Sequence, residues 1–68
     1  MNEEALNMSI RKFLKTVGVG SQRELEQAVA RGVQSGALAG DPPLEVTMTL
    51  EVPALKLKAR FDGQLELQ

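Results

Sequence analysis

The sequence predicts an α+β domain in which two amphipathic helices precede a three-stranded antiparallel β-meander, in the order ααβββ. Its N-terminal half repeats apolar residues every three or four positions, which is typical of helices with one apolar face. Its C-terminal half alternates apolar and polar residues, which is typical of half-covered strands. We therefore expect both helices to cover one face of a sheet with strand order 1-2-3.

The length of 68 residues predicts a single domain, residues 1–68, with a thin core. A chain this short buries only about 60% of the surface that its unfolded form exposes. Small domains often add disulfides, metals or a second subunit. With no Cys and no His, disulfides are excluded and a transition-metal site has only carboxylates to offer, so self-association is the remaining reinforcement.

The net charge of −1 gives no global attraction to nucleic acid or to anionic membranes. No apolar run approaches the ~20 residues that span a bilayer. The start of the chain, Met1 to Glu4, is acidic where a secretory signal is basic. These features predict a soluble cytoplasmic protein with no membrane contact.

The first predicted helix spans residues 3–17. Asn2 is a suitable N-cap, acidic residues follow in the first turn, and Gly18 can adopt the left-handed C-terminal cap. Its apolar stripe consists of Leu6, Ile10, Phe13, Leu14 and Val17.

The second predicted helix spans residues 22–35, because Ser21 and Glu24 have the spacing of a capping box. Ser35-Gly36 offers a stop. Gly32 on the inner face costs about 1 kcal/mol relative to Ala. Either another backbone approaches closely there, or the glycine is tolerated near a frayed end between Gly32 and Gly36. The inner face consists of Leu25, Ala28, Val29, Gly32 and Val33.

Three strands are predicted at residues 44–52, 55–60 and 64–68, after a linker from Ala37 to Pro43. Face parity favours a three-residue loop, Phe61 to Gly63, with Gly63 in a G1 bulge. That loop would set Lys58 opposite Glu66.

The first predicted hairpin has matching faces when Val52 pairs with Leu55 and Glu51 with Lys56. Proline cannot adopt the positive φ of a primed two-residue turn. A four-residue loop with Pro53 inside a type I turn is therefore expected.

No set of residues predicts catalysis. His, Cys and Tyr are absent, and the Ser and Thr hydroxyls have no evident base beside them. Glu45 and Glu51 share a strand face but lie ~20 Å apart, which is too far for an acid/base pair. We expect no enzyme activity and no catalytic, cofactor-binding or metal-binding residue.

Basic residues of the first helix and the second strand provide an alternative, a small nucleic-acid-binding accessory protein. The competing interpretation is a solvated sheet face with cross-strand charge pairs. Acidic residues at the start of the second helix also disfavour phosphate contact. The candidate nucleic-acid contacts are Arg11, Lys12, Lys15, Arg23, Lys56, Lys58 and Arg60.

Two segments resemble a family of short bacterial proteins of unknown function. The first runs from Asn7 to Lys15 and continues through Val17-Gly18-Val19 and Ser21 to Glu24. The second is Phe61-Asp62-Gly63 with the alternating strand after it. The resemblance covers nearly the whole chain, and it implies no substrate, cofactor or partner.

The sequence therefore favours a non-enzymatic binding or structural module. The first and last strands of the predicted meander would leave two sheet edges open, and such edges can pair with another chain. We expect a homodimer formed through a sheet edge or through residual apolar surface, and a further protein partner could bind by the same edge pairing.

Overall fold

A computed structural model describes residues 1–38 and 43–67. The chain divides into two compact units, Met1–Leu38 and Ala39–Gln68. The described residues form one helix and two strands, an αββ order, so the prediction of two helices and three strands is wrong. No observation tests the prediction of a single domain. The elements are α1 (Glu3–Ser35), β1 (Leu44–Val52), a short 3-10 turn (Pro53–Leu55) and β2 (Leu57–Leu65).

The start of α1 confirms the predicted N-cap. The Asn2 side chain accepts a hydrogen bond from the Ala5 amide at 3.1 Å, and its backbone carbonyl accepts one from the Leu6 amide. Glu3 and Glu4 lie in the first turn, where the helix dipole favours negative charge. The helix therefore begins where the sequence indicated.

The predicted break between Gly18 and Ser21 is wrong, because α1 continues through it. The Ser21 hydroxyl donates to the Val17 carbonyl at 2.5 Å, one turn back, instead of capping the Glu24 amide. Gly18 has no positive φ, which the predicted left-handed cap would require.

Continuity of the helix follows from hydrogen bonding. Ending one helix and starting another leaves up to four backbone carbonyls and four amides without helical partners. Gly18 and Gly20 each cost about 1 kcal/mol relative to Ala in a helix interior. That cost is smaller than the loss of several backbone hydrogen bonds, and no proline forces a break.

The end of α1 explains Gly32. Gly36 adopts the left-handed conformation at φ 78°, as predicted, and the Leu38 amide donates to the Gly32 carbonyl at 3.2 Å. The Leu38 side chain folds back so closely that a Cβ at Gly32 would lie 2.9 Å from its Cγ. Gly32 therefore makes room for a side chain, and neither a second backbone nor a frayed end accounts for it.

The strands β1 and β2 form one antiparallel hairpin with nine paired positions. Leu44 pairs with Leu65 at the open end, and Val52 pairs with Leu57 beside the turn. Since pairing conserves the face, all apolar residues of both strands share one side of the sheet. The predicted assignment of residues to faces is confirmed.

The predicted turn at Asp62-Gly63 is wrong, because β2 runs straight through it. Asp62 pairs with Thr47 and Gly63 with Val46. A turn there would end the second strand early and leave the first half of β1 without its partner. Pairing all nine residues of β1 thus requires an equally long β2. In this register Lys58 faces Glu51, and the predicted pairing of Lys58 with Glu66 is wrong.

The hairpin loop has four residues, Pro53 to Lys56, as expected for a proline at its start. Lys56 closes it in the left-handed conformation at φ 52°. The strand pairs are shifted by two residues from the prediction, so Val52 faces Leu57 and not Leu55, and Glu51 faces Lys58 and not Lys56. A shift of two leaves every residue on its predicted face.

Two predictions fall partly outside the described residues. Of the predicted linker from Ala37 to Pro43, residues 39–42 lie outside them, as does Gln68 at the end of the predicted third strand.

Replacing Gly18 with Ala tests whether α1 is continuous or broken at this residue. A Cβ added at Gly18 would meet no side chain within 4 Å, so G18A should raise the free energy of unfolding by about 1 kcal/mol. G36A should lower it by about 1–2 kcal/mol because of the positive φ. Thermal unfolding followed by circular dichroism measures both, and a loss of stability in G18A would contradict the continuous helix.

A pair of engineered cysteines tests the long hairpin. Glu45 and Gln64 are direct cross-strand partners, and partners of this kind lie ~4.5–5.5 Å apart at Cα, within reach of a disulfide. The variant E45C/Q64C should oxidise within one chain at low protein concentration. The control is K58C/E66C, because Lys58 and Glu66 are partners only in the predicted three-stranded sheet. This variant should not form a disulfide within the chain. The reverse result, seen by mass spectrometry, would refute the register.

Candidate protein-interaction surfaces

One face of α1 carries an apolar row that we name the helix stripe. It contains Leu6, Ile10, Leu14, Val17, Ser21, Leu25, Ala28 and Gly32, with Phe13 and Val29 at its two borders. No residue of α1 is buried; Leu14 is 54% exposed and the middle of the stripe is half-buried. A long apolar stripe along one face of a helix is typical of a helix that packs on another surface.

The hairpin has an apolar side that we name the sheet face. It is formed by every second residue of each strand, which places the apolar residues of β1 and β2 on one side, and none of these residues is buried. Phe61 is 59% exposed and Met48, its direct partner, 41%. The residues are Leu44, Val46, Met48, Leu50 and Val52 of β1 with Leu57, Ala59, Phe61, Gly63 and Leu65 of β2.

Both strands of the hairpin are edge strands, because the sheet formed by the described residues has only two. Each strand therefore has one edge whose backbone amides and carbonyls are not used by the other. Such edges pair readily with an extended segment of another chain. The predicted edge on the first strand is present, whereas the second edge lies on β2 and not on the predicted third strand.

The polar side of the hairpin combines one ion pair within β2 and one pair of opposite charges that face each other across the strands. Arg60 Nε donates to Asp62 Oδ1 at 2.8 Å, and the Thr47 hydroxyl donates to the same oxygen at 3.1 Å. Lys58 lies opposite Glu51 in the register. Both members of the Arg60–Asp62 pair are more than 60% exposed, so the pair contributes little to stability. It does offset the charge of Arg60, one of the candidate nucleic-acid contacts.

The remaining candidate cations are divided between the two units. Arg11, Lys12 and Lys15 lie within one turn and a half of α1, Arg23 follows two turns later, and Lys56 closes the hairpin loop. Lys12 and Lys15 border a shallow hollow over Gly20. The structure thus gathers three of these residues within one segment of α1, joins Arg60 to Asp62 in an ion pair and sets Lys58 opposite Glu51 in the register. Their contact with nucleic acid stays a prediction.

The hydroxyl groups of α1 bond to the helix itself. Ser9 donates to the Leu6 carbonyl, Thr16 to the Lys12 carbonyl and Ser35 to the Gly32 carbonyl. None of these bonds links a hydroxyl to a base that could activate it. Within residues 1–38 and 43–67, no three His, Cys, Asp or Glu side chains gather as a metal site.

Helix α1 is long, yet no helix in the described part of the chain is apolar enough to cross a membrane. Charged residues interrupt every stretch of it, including Arg11, Lys12 and Lys15 in the first half. Its apolar residues form a stripe and not a continuous apolar surface.

Sequence reasoning missed the continuity of the helix stripe. Assigning Leu6 to Val17 and Leu25 to Gly32 to separate helices hid the fact that both groups lie on the same face of one helix. The signal was available in the spacing, since Val17, Ser21 and Leu25 are each four residues apart.

Together these features define a helix unit and a hairpin unit, each with an apolar surface that its own residues do not cover, and both strands of the hairpin are edge strands. The chain belongs to DUF6494, a family of unknown function whose model matches residues 1–68. The resemblance seen in the sequence is confirmed at that level. No curated protein and no solved structure matches it significantly.

A charge test addresses the basic residues. Because acidic partners offset the hairpin cations, we expect no gel shift with mixed DNA or RNA at ~50 mM salt, where electrostatic binding is strong. The variant E51Q/D62N removes those partners and changes the net charge from −1 to +1. It should gain weak binding that added salt abolishes. A shift by the unaltered protein would support the nucleic-acid alternative.

Proposed function

We propose that the protein is a non-enzymatic interaction module that associates with itself. The observation that carries this proposal is the lack of any buried residue in α1 or in the hairpin, together with an apolar surface on each. Neither unit covers its own apolar residues. A second chain supplies the missing cover.

The hairpin supports the proposal on energetic grounds. An isolated two-stranded hairpin is marginally stable at best in water, and it gains stability from a third strand or a packed surface. Phe61, Met48 and Leu57 are each at least 40% exposed on the sheet face. Covering them removes apolar area from water, at about 25 cal/mol per Å².

The helix supports it in the same way. Most helical stability in proteins comes from packing of the apolar face, more than from the helix propensity of the residues. The stripe from Leu6 to Gly32 covers 27 of the 33 residues of α1, and Gly18 and Gly20 lower the helix propensity of its middle. A packed partner offsets that cost.

The chemistry of the polar groups supports binding over catalysis. The helix hydroxyls that form hydrogen bonds are committed to backbone carbonyls, and the Asp62 carboxylate is held by Arg60 and Thr47. These groups stabilise local structure. None is arranged with a base or a second acid.

Light scattering after size exclusion tests self-association. At tens of micromolar we expect about 15 kDa, twice the 7.4 kDa of one chain, and a thermal midpoint that rises with protein concentration. I10E places a carboxylate on the helix stripe and should shift the mass toward one chain.

The matched control is M8E, which adds the same charge two residues away. Met8 is 72% exposed and lies on the opposite side of α1 from Ile10. M8E should keep the mass of the unaltered protein. A 7.4 kDa species whose thermal midpoint does not depend on concentration would refute the proposal, and would indicate that the stripe is covered within the chain.

A further inference from the structure

The helix stripe follows an 11-residue repeat. From Leu6 to Gly32 the steps between its positions are 4, 4, 3, 4, 4, 3 and 4 residues. Eleven residues advance an α-helix by three turns plus only about 20°, so the stripe stays on one side along its length. Such a stripe lets two nearly straight helices remain in contact over many turns.

The repeat is symmetric about Ser21. Reading outward from Ser21 gives the same steps in both directions as far as Ile10 and Gly32, so Val17 mirrors Leu25, Leu14 mirrors Ala28 and Ile10 mirrors Gly32. Two-fold interfaces require this property, because each residue i that contacts j must find j contacting i. An antiparallel pair of helices crossing at Ser21 brings every mirrored pair into contact.

Side-chain size supports the same arrangement. The first half of the stripe is bulky, with Leu6, Ile10 and Leu14, whereas the second half has Ala28 and Gly32. An antiparallel pair sets Leu14 of one copy against Ala28 of the other. Ile10 would meet Gly32 and the Leu38 side chain that lies over it. A parallel pair would crowd leucines at one end and leave gaps at the other.

Charge supports it as well. Residues 11–15 carry three positive charges, while residues 24–31 carry two carboxylates and one guanidinium. A parallel pair would set the first segment beside its own copy, with six cations close together. The antiparallel pair sets Arg11 opposite Arg31 but separates the two cationic segments, and Lys15 then lies within one turn of Glu24 and Glu26 of the other copy, which reduces the repulsion.

We infer that two copies pair through the helix stripe as an antiparallel two-fold dimer centred on Ser21. This inference rests on the proposed self-association and adds its partner surface, direction and register. Ser21 fits the centre because its hydroxyl already donates to the Val17 carbonyl and needs no partner across the interface.

Cysteine cross-linking tests the direction, because the native chain has no Cys. S21C should form a disulfide-linked dimer under mild oxidation. L14C alone should not, since its two copies would lie about 21 Å apart along the axis. A mixture of L14C and A28C should give a linked heterodimer. Cross-linking of L14C to itself would overturn the antiparallel direction, and failure of S21C to link would overturn the register.

The distance between spin labels on the two copies tests the direction without any substitution in the helix stripe. Spin labels on M8C, on the outer side of α1, should lie at least about 39 Å apart in the antiparallel dimer, against about 20 Å, two helix diameters, in a parallel one. A dimer with the short distance refutes only the inference. A monomeric mass by light scattering refutes the proposed function as well.

Discussion

Each unit of this chain has an apolar surface that its own residues do not cover, and this constraint organises the whole structure. The helix stripe needs α1 to continue unbroken, because a break would rotate Leu25 away from Leu14. The sheet face needs nine paired positions, because a shorter second strand would leave Leu44 and Val46 without partners. The length of α1 and the length of β2 are therefore both set by contacts along a whole element, more than by any single hydrogen bond.

The hairpin shows what alternation in a sequence can and cannot predict. Strict alternation from Leu44 to Val52 predicted the strand and the face of each residue, and the structure agrees. Parity does not distinguish registers that differ by two residues, so Leu55 and Leu57 were equally suited to face Val52. Asp62-Gly63 is a strong local turn signal, but its dipeptide also fits a strand in which Asp62 binds Thr47 and Arg60. The length of the partner strand decided between them.

The helix shows the same competition between local and long-range signals. Asn2 and Gly36 were correctly predicted as caps, because each lies where the apolar pattern also begins or ends. Ser21 and Glu24 have the spacing of a cap inside an uninterrupted pattern, and there the pattern prevailed. The contact of Leu38 with Gly32 could not be predicted, since it depends on the path of the chain after the left-handed Gly36. Of the candidate surface, sequence thus provided the apolar residues but not their continuity.

Ser21 has a consequence for how the apolar surface behaves in water. Its hydroxyl keeps one hydrogen bond, to Val17, whether the helix stripe is wet or covered. Covering this position therefore leaves no hydrogen-bond donor without a partner, and exposing it again brings no strongly apolar side chain into water. In the dimer that we infer, the centre of the interface therefore adds no cost of its own when the two copies separate. The fraction of paired chains would then follow the protein concentration, so the amount of protein itself becomes the control variable.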